Sequence, residues 1–161
     1  PPKNSPEKDL VMTPEYVAQD IIKHFNPTGR ILDPSRGEGA FYDNFPTDNK
    51  DWCELGENKD FLTYNDKVDW IITNPPWSLM QKFLLHGMEI ADNIVYLTTF
   101  NHYTTKKRIR DMRENNFAIK EVYCIPTPPN PWPQLGFQLA AVYTQRNYDG
   151  GITMSYSPML K

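Results

Sequence analysis

The sequence predicts an α/β fold built on a mainly parallel β-sheet. Segments rich in β-branched and aromatic residues alternate along the chain with segments whose apolar residues recur at helical spacing. One predicted strand, residues 68–73 (VDWIIT), is almost continuously apolar, as strands buried on both faces of a parallel sheet are. Because no internal repeat and no change in composition divides the chain, we expect residues 1–161 to form one domain.

Each predicted element has its own sequence signal. The first helix is expected to begin with Thr13 as its N-cap and Pro14 at its first position, and to end at Phe25 before an Asn-Pro-Thr-Gly turn. The predicted strands are apolar runs, and the later helices follow turn residues. The predicted strands cover residues 30–33, 52–55, 68–73, 93–100, 117–125 and 138–146, and the later helices cover residues 39–45, 79–91 and 104–116.

Composition limits the compartment in which the protein works. The chain has two cysteines, Cys53 and Cys124, which lie far apart and lack a metal-binding spacing. We expect both to be reduced core residues of an intracellular protein, and we expect no metal site. No apolar run reaches the roughly 20 residues that a membrane span needs, and no secretory signal is visible, so the predicted location is the cytoplasm.

Charge is divided unevenly between the two halves of the chain. The net charge of −3 alone argues against a nucleic-acid partner. However, residues 1–70 contain eight Lys and Arg against fourteen Asp and Glu, whereas residues 71–161 contain nine against six. This division indicates that the halves face different partners, with a chance imbalance of surface charge as the alternative.

A glycine-bearing loop follows the first predicted strand in the segment LDPSRGEGAF. Asp33 ends the strand, and Ser35, Gly37 and Gly39 follow before the next helix. Ligands of open α/β sheets bind outside the carboxyl ends of the strands, where glycine allows the backbone to approach them closely. The loop matches neither G-x-G-x-x-G nor a P-loop, so its ligand need not carry a phosphate. A purely structural turn is the alternative.

Three more residues suggest a nucleoside site. Glu54 lies near the end of the second predicted strand, where a carboxylate commonly accepts both hydroxyls of a ribose. Asp60 and Phe61 pair a carboxylate with an aromatic ring, which suits the amino group and the flat face of adenine. A solvated Glu54 and a core Phe61 are the alternatives.

The most specific motif is Asn74-Pro75-Pro76-Trp77 at the end of the apolar strand 68–73. The Asn74 amide oxygen and the Pro75 carbonyl are two acceptors, and Pro76 biases Pro75 toward an extended conformation that fixes their separation. Two acceptors match one NH₂ group, and Trp77 offers a face on which a planar ring can stack. The alternative is a turn that ends a strand, with Trp77 in the core.

These residues fit the alkylation of an amine. The lone pair of an aryl amine or amide nitrogen is delocalised, and two hydrogen bonds to its hydrogens help to free it. Alignment with an electrophile then contributes through proximity and orientation. Such a reaction needs no catalytic Ser, Cys or His before transfer, and the sequence shows no such constellation.

With these motifs the chain resembles the class I S-adenosylmethionine-dependent methyltransferases, especially the N6-adenine methyltransferases. The signature [N/D/S]-P-P-[Y/F/W] and the cofactor loop D-P-x-x-G-x-G occur in the family's γ-type order, from residue 12 to about residue 146. The matching segments are Thr13-Pro14, residues 33–39, Glu54, Asp60-Phe61 and residues 74–77.

The resemblance implies a Rossmann-like fold, with a mostly parallel seven-stranded sheet, the last strand antiparallel and helices on both faces. It implies S-adenosyl-L-methionine as cofactor, held by Thr13, Asp33, Ser35, Gly37, Gly39, Glu54, Asp60 and Phe61. It assigns catalysis to residues 74–77. Unlike the larger DNA enzymes, this sequence shows no separate target recognition domain, and its size suggests a phage-encoded enzyme acting in a bacterial or infected cell.

A target base in a duplex would have to be flipped out, and a polyanion would need a positive surface. The best candidate is the basic helix 104–116, and the second is the proline-rich loop that carries Trp132, which would stack on or wedge beside a base. The alternatives are a solvated helix face and a packed lid. His102 and Tyr103 are expected to line the same pocket. The basic residues include Lys106, Lys107 and Arg108.

The predicted function is therefore methylation of the N6 amino group of adenine in nucleic acid, with DNA favoured over RNA. One rival carries the same chemistry to adenine in RNA or to a glutamine amide in a protein. A rival of another class is a non-catalytic subunit that keeps the fold. No membrane partner is expected.

Overall fold

The computed structural model describes residues 11–134 and 136–160. Within these ranges the chain forms three α-helices, a seven-stranded sheet and several short 3₁₀ turns. The elements are α1 (Glu15–Phe25), β1 (Ile31–Asp33), β2 (Lys50–Trp52), β3 (Val68–Thr73), α2 (Met80–Ile90), β4 (Ala91–Thr99), α3 (Lys106–Glu114), β5 (Phe117–Cys124), β6 (Leu139–Arg146) and β7 (Thr153–Tyr156).

The sheet has the strand order β2-β1-β3-β4-β6-β5-β7. Strands β1 to β4 are parallel to one another, β6 is antiparallel to both of its neighbours, and β7 is parallel to β5. The prediction of an α/β fold with a mainly parallel sheet is confirmed. The strand expected to be last and antiparallel, residues 138–146, is β6, and it is antiparallel as predicted. It is not the last strand, because β7 follows it and extends the sheet beyond β5.

Helices cover both faces of the sheet. Buried residues of α1 pack on one face, against side chains of β1, β3, β4 and β6. Buried residues of α2 and α3 pack on the other face, against side chains of the same central strands and of β5. Because both faces are covered, the central strand β3 is apolar along most of its length, as its sequence predicted.

Two predicted helix starts differ from the structure. Pro14, not Thr13, is the N-cap of α1: its carbonyl accepts from the amides of Val17 and Ala18, and no side chain caps the helix. In the segment predicted as a short helix, residues 39–45, only the 3₁₀ turn Tyr42–Asn44 forms. The positive φ of 93° at Gly39 keeps the start of that segment out of a right-handed helix.

Two predicted strands differ as well. The second strand covers Lys50–Trp52 instead of residues 52–55, because Glu54 leaves the sheet and forms an isolated antiparallel bridge with Lys59. Strand β7 was not predicted. It lies at an edge of the sheet, and Met154 and Tyr156 are exposed, so it lacks the buried face that makes a strand recognisable in sequence.

The two cysteines have the predicted state, because Cys53 and Cys124 are buried and unbonded. No helix among residues 11–134 and 136–160 has the length and apolar character needed to cross a membrane. Since β1 to β4 run parallel, their carboxyl ends lie at one edge of the sheet, and the loops that follow them build the site described next.

Candidate active site

A cleft lies outside the carboxyl ends of β1 and β3. Its walls come from the segment that precedes α1, from the loop after β1, from the bridge residue after β2 and from the turn after β3. The lining residues are Val11, Met12, Thr13, Ser35, Arg36, Gly37, Glu38, Ala40, Phe41, Glu54 and Asn74. The cleft therefore brings together five of the predicted site residues from four separate parts of the sequence: Thr13, Ser35, Gly37, Glu54 and Asn74.

The glycine loop is shaped by backbone geometry and by one carboxylate. Gly37 has a φ of +55°, and its amide donates to Glu54 Oε2 at 2.7 Å. A Cβ at Gly37 would lie 2.9 Å from the sulfur of Met12, so the segment before α1 packs closely on this loop. Gly39 has a φ of +93°, and a Cβ there would meet the carboxylate of Asp43 at 2.7 Å. Both glycines are required by conformation as well as by space.

Asp33 lies behind the glycine loop and is fully buried. Its Oδ1 accepts from the amide of Ser35 at 3.1 Å and from the hydroxyl of Thr73 at 2.6 Å. Its Oδ2 is buried and has no partner among the described residues. Burial raises the pKa of Asp33 to about 7, and the hydrogen bonds from Thr73 and Ser35 oppose this shift. A buried carboxylate oxygen without a donor is a place where a ligand's donor group can bind.

The turn after β3 carries a second unpaired acceptor. The amide oxygen Oδ1 of Asn74 is shielded from solvent and has no hydrogen-bond partner among the described residues, although the residue lines the cleft. Pro75 is buried, and Pro76 has an extended conformation, with φ −61° and ψ 118°. The two prolines therefore hold Asn74 in a rigid turn whose amide acceptor is left unused by the protein.

Trp77 follows this turn and belongs to an aromatic cluster. Its indole Nε1 donates to the carbonyl of Leu97 at 3.2 Å, which ties the turn after β3 to the neighbouring strand β4. Its ring lies edge-on to the rings of His102 and Trp132, with centroids 5.9 and 6.3 Å away. We call Trp77, His102 and Trp132 the aromatic side of the site.

Trp132 is a core residue in this conformation. Its side chain is only 3% exposed and packs among residues of the α1 face of the sheet. The sequence allowed Trp132 either to pack as part of a lid or to stack on a base. The structure shows the packed arrangement. A base could contact this ring only after its loop moves.

Asp60 and Phe61 lie outside the residues that line the cleft. Phe61 is 2% exposed and packs against Phe83 and His86, with ring centroids 4.9 Å away in both cases. Asp60 accepts from the amide of Leu62 at 3.0 Å and caps the 3₁₀ turn that follows. Phe61 is therefore a core residue in this structure, which was the alternative interpretation of the sequence. The predicted contact of Asp60 and Phe61 with an adenine ring remains a prediction.

A cluster that sequence reasoning missed stands beside the glycine loop. The guanidinium of Arg36 lies 3.8 Å from the ring centroid of Trp52, and the ammonium of Lys59 lies 4.0 Å from it. Arg36 also pairs with Glu57, so the loop is fastened to the segment that follows Glu54. Residue spacing in the sequence does not predict cation–aromatic contacts between residues that are separated along the chain.

The basic helix forms as predicted, over the shorter range of α3. Lys106 and Lys107 are exposed, whereas Arg108 is half-buried and donates from Nε to the carbonyl of His102 at 2.9 Å. The hydroxyl of Thr105 accepts from the amide of Arg108 and caps the helix. None of the three predicted basic residues lines the cleft, and Arg108 connects α3 to the aromatic side.

No family model and no curated protein matches the sequence. Solved structures match the fold. A candidate RNA methyltransferase from Pyrococcus horikoshii has a TM-score of 0.60 at 15% identity, and the match covers 83% of each chain. The M protein of the type I restriction enzyme EcoKI has a TM-score of 0.58 at 13% identity, over 84% of this chain and 44% of that protein. Magnesium protoporphyrin IX methyltransferase from Synechocystis, solved with bound S-adenosylmethionine, has a TM-score of 0.56 at 12% identity. The match covers 81% of this chain and 76% of that protein.

The chain thus has the Rossmann-like α/β fold of the class I methyltransferases. At these identities the likeness shows the fold alone. The similar proteins are named for RNA, for DNA restriction and for a porphyrin, so the substrate has to be argued from the residues of the site.

Proposed function

We propose that the protein transfers a methyl group from S-adenosyl-L-methionine to the N6 amino group of adenine in nucleic acid, with DNA favoured over RNA. The observation that carries this proposal is the buried, unpartnered amide oxygen of Asn74, which stands in a rigid Asn-Pro-Pro-Trp turn in the same cleft as Gly37 and Glu54. The proposal depends on the glycine loop and the Asn-Pro-Pro-Trp turn lying in the same cleft, because neither feature alone is specific for this activity.

The residues of the cleft fit this cofactor. Glu54 and Glu38 line the cleft, and the Oδ2 of Asp33 is a buried acceptor behind the glycine loop. These acceptors suit a ligand with hydroxyl groups and positive charge and without phosphate. When bound, the cofactor supplies an electrophilic methyl group on a sulfonium. Glu54 would accept from the ribose hydroxyls. The other residues assigned to cofactor binding are Thr13, Asp33, Ser35, Gly37, Gly39, Asp60 and Phe61.

The turn after β3 would act on the amine. The Asn74 amide oxygen and the Pro75 carbonyl would each accept one hydrogen of the NH₂ group, which holds the nitrogen in place and favours a localised lone pair. Trp77 would stack on the adenine ring. Since amide and carbonyl oxygens are weak bases, they orient the amine and do not remove its proton. Pro76 would contribute by stiffening the turn.

Surface charge favours a nucleic acid as the substrate. The exposed lysines Lys106 and Lys107 begin α3, directly beyond the 3₁₀ turn that carries His102, so a polyanion can lie beside the aromatic side of the site. Arg108 would support this surface through its hydrogen bond to the carbonyl of His102, and Trp132 through its packing against Trp77. The similar structures include both a restriction enzyme M protein and a candidate RNA methyltransferase, so RNA is kept as the second candidate.

Tritiated methyl transfer to duplex DNA, single-stranded DNA, RNA and protein tests the proposal. We expect transfer to adenine in DNA, and we expect Asn74→Ala to slow single-turnover transfer by about a hundredfold or more, as loss of one preorganised hydrogen-bonding group does. Asn65→Ala is the matched control, because Asn65 is an exposed asparagine that precedes the same strand. Transfer by Asn74→Ala at the parent rate contradicts the mechanism.

Calorimetry with S-adenosylmethionine separates the enzyme from a non-catalytic subunit. Binding by the parent is expected, and its absence would overturn the assignment of the cofactor. Methyl label found in glutamine of a protein acceptor, instead of in adenine, would identify the rival substrate.

A further inference from the structure

We infer that His102 is the proton acceptor for the methylated amine, an inference that rests on the proposed function. Its imidazole would take, directly or through one water, the proton that the nitrogen loses as the new bond forms. Three observations support this inference: its place beside the Asn-Pro-Pro-Trp turn, the hydrogen bond that orients its ring, and a ring nitrogen with no hydrogen-bond partner among the described residues.

The fold places His102 at the site. It lies in the 3₁₀ turn Phe100–Tyr103, directly after β4, and β4 is the parallel neighbour of β3, the strand that Asn74 follows. Its ring is edge-on to that of Trp77 at 5.9 Å. The other two histidines are engaged elsewhere, His24 with Glu121 and His86 with the carbonyl of Tyr64.

Hydrogen bonds orient the imidazole. Its Nδ1 lies 2.5 Å from the hydroxyl of the buried Thr98, and the carbonyl of His102 accepts from Arg108 at 2.9 Å. In the tautomer with hydrogen on Nδ1, this nitrogen donates to Thr98 and Nε2 is left as an acceptor. Nε2 has no hydrogen-bond partner among residues 11–134 and 136–160, and it is not among the polar atoms shielded from solvent.

The surroundings keep the imidazole neutral. Desolvation lowers the pKa of His102 from its ordinary value, and the positive charge of Arg108 on α3 lowers it further. The ring that faces it, Trp77, is uncharged, and the neighbouring Tyr103 is buried with a raised pKa. A neutral imidazole is the form that can accept a proton at physiological pH.

Methyl transfer to an NH₂ group releases one proton, which needs an acceptor. The lone pair of the amine forms the N–C bond, and the electrons of the broken C–S bond return to sulfur. As this bond forms, the nitrogen has one hydrogen too many, while Asn74 and Pro75 offer only weakly basic oxygens. Transfer of this proton to Nε2 gives an imidazolium, which releases it to solvent through the exposed side of the ring.

The pH dependence of single-turnover transfer at saturating cofactor and DNA tests this inference. In the parent, the rate constant should fall as the pH drops through the pKa of His102. In His102→Gln and His102→Asn, neither of which can be protonated, this acid limb should disappear and the rate above it should be about tenfold lower. His24→Gln should keep the parent profile, because His24 lies in the last turn of α1 and its ring stacks on Tyr123.

A second readout does not depend on turnover. The ¹⁵N shifts of the His102 ring should show hydrogen on Nδ1 and a bare Nε2 in the free parent protein. They should move when an adenine-containing oligonucleotide is added without cofactor. A ring with hydrogen on Nε2 above its pKa overturns the inference even if the variants fail to fold.

The two proposals fail in different ways. If the parent transfers no methyl group to any acceptor, the proposed function is wrong. If the parent transfers it and the acid limb persists in both His102 variants, only the role of His102 is wrong.

Discussion

The two sides of the site are built by different forces. The glycine-loop side, residues 33–39 with Glu54, is held by directional hydrogen bonds such as those from Gly37 to Glu54 and from Thr73 to Asp33. The aromatic side is held by rings packed edge-on, and hydrogen bonds tie the Trp77 indole to the carbonyl of Leu97 and the His102 imidazole to Thr98 at its border. The first side leaves the Oδ2 of Asp33 without a partner among the described residues, whereas on the second the ring of Trp132 is covered and those of Trp77 and His102 are partly covered.

This difference indicates that the cofactor pocket is formed in advance and that the base pocket has to open. Hydrogen-bonded loops with positive-φ glycines have few alternative conformations, so they favour a preorganised ligand site. Packed rings can separate and pack again on a planar guest at a modest cost, because a base replaces one aromatic contact with another.

The largest effect concerns the stability of the aromatic side. Trp132→Ala removes a nearly fully buried indole, so the free energy of unfolding should fall by about 4 kcal/mol in urea titrations. Phe137→Ala is the matched control, since Phe137 follows in the same connection and is 59% exposed. It should change stability by less than about 0.5 kcal/mol.

The contrast between the two sides adds a second expectation for Trp132→Ala. Its affinity for S-adenosylmethionine, measured by calorimetry, should equal that of the parent. A variant that keeps its stability would show that the indole is not a core residue. A variant that loses cofactor affinity would show that the two sides are coupled.

The second effect concerns Asp33 and has a definite sign. Its pKa is raised to about 7 in the folded protein, mainly by burial, so the folded state binds its proton more tightly than the unfolded state does. The contribution of Asp33 to stability should therefore decline as the pH rises from about 4 to 7, by up to about 4 kcal/mol. Asp33→Asn should lack this decline and be more stable than the parent at pH 8.

Cofactor binding should show the opposite trend. The carboxylate that is costly in the free protein is the form that can accept hydrogen bonds from a cationic ligand, so the parent should bind S-adenosylmethionine more tightly at pH 8 than at pH 6. Asp33→Asn should bind it more weakly at pH 8 and show less change with pH. Equal pH dependence of stability in parent and variant would mean that Asp33 does not titrate in this range.

The same contrast explains how much could be predicted from the sequence. Local signals predicted the strand Val68–Thr73, the turn that follows it and the glycine loop, because each is a continuous segment with its own chemistry. Parallel strands then bring Asn74, Gly37 and Glu54 to one edge of the sheet, and they line one cleft. Their roles with a ligand remain predictions.

The features that were missed depend on contacts between distant residues. The hydroxyl of Thr73 donates to Asp33, 40 positions earlier in the chain, and Arg36 stacks on Trp52. Burial separates a packed Trp132 from one available to a base, and no pattern in the proline-rich loop reports burial. Strand β7 escaped prediction because it has no buried face of its own.

The smallest effect tests the preformed loop. At Gly37, φ is +55° and a Cβ would lie 2.9 Å from the sulfur of Met12, so Gly37→Ala should lower the free energy of unfolding by about 1 to 2 kcal/mol. Since the strain also shifts the amide that donates to Glu54, cofactor affinity should fall by several-fold in calorimetry. Gly56→Ala is the control, because Gly56 lacks a positive φ and a Cβ there would meet nothing within 4 Å. If Gly37→Ala and Gly56→Ala bind the cofactor equally well, the loop adapts to its ligand, and the contrast between a preformed and an opening side no longer holds.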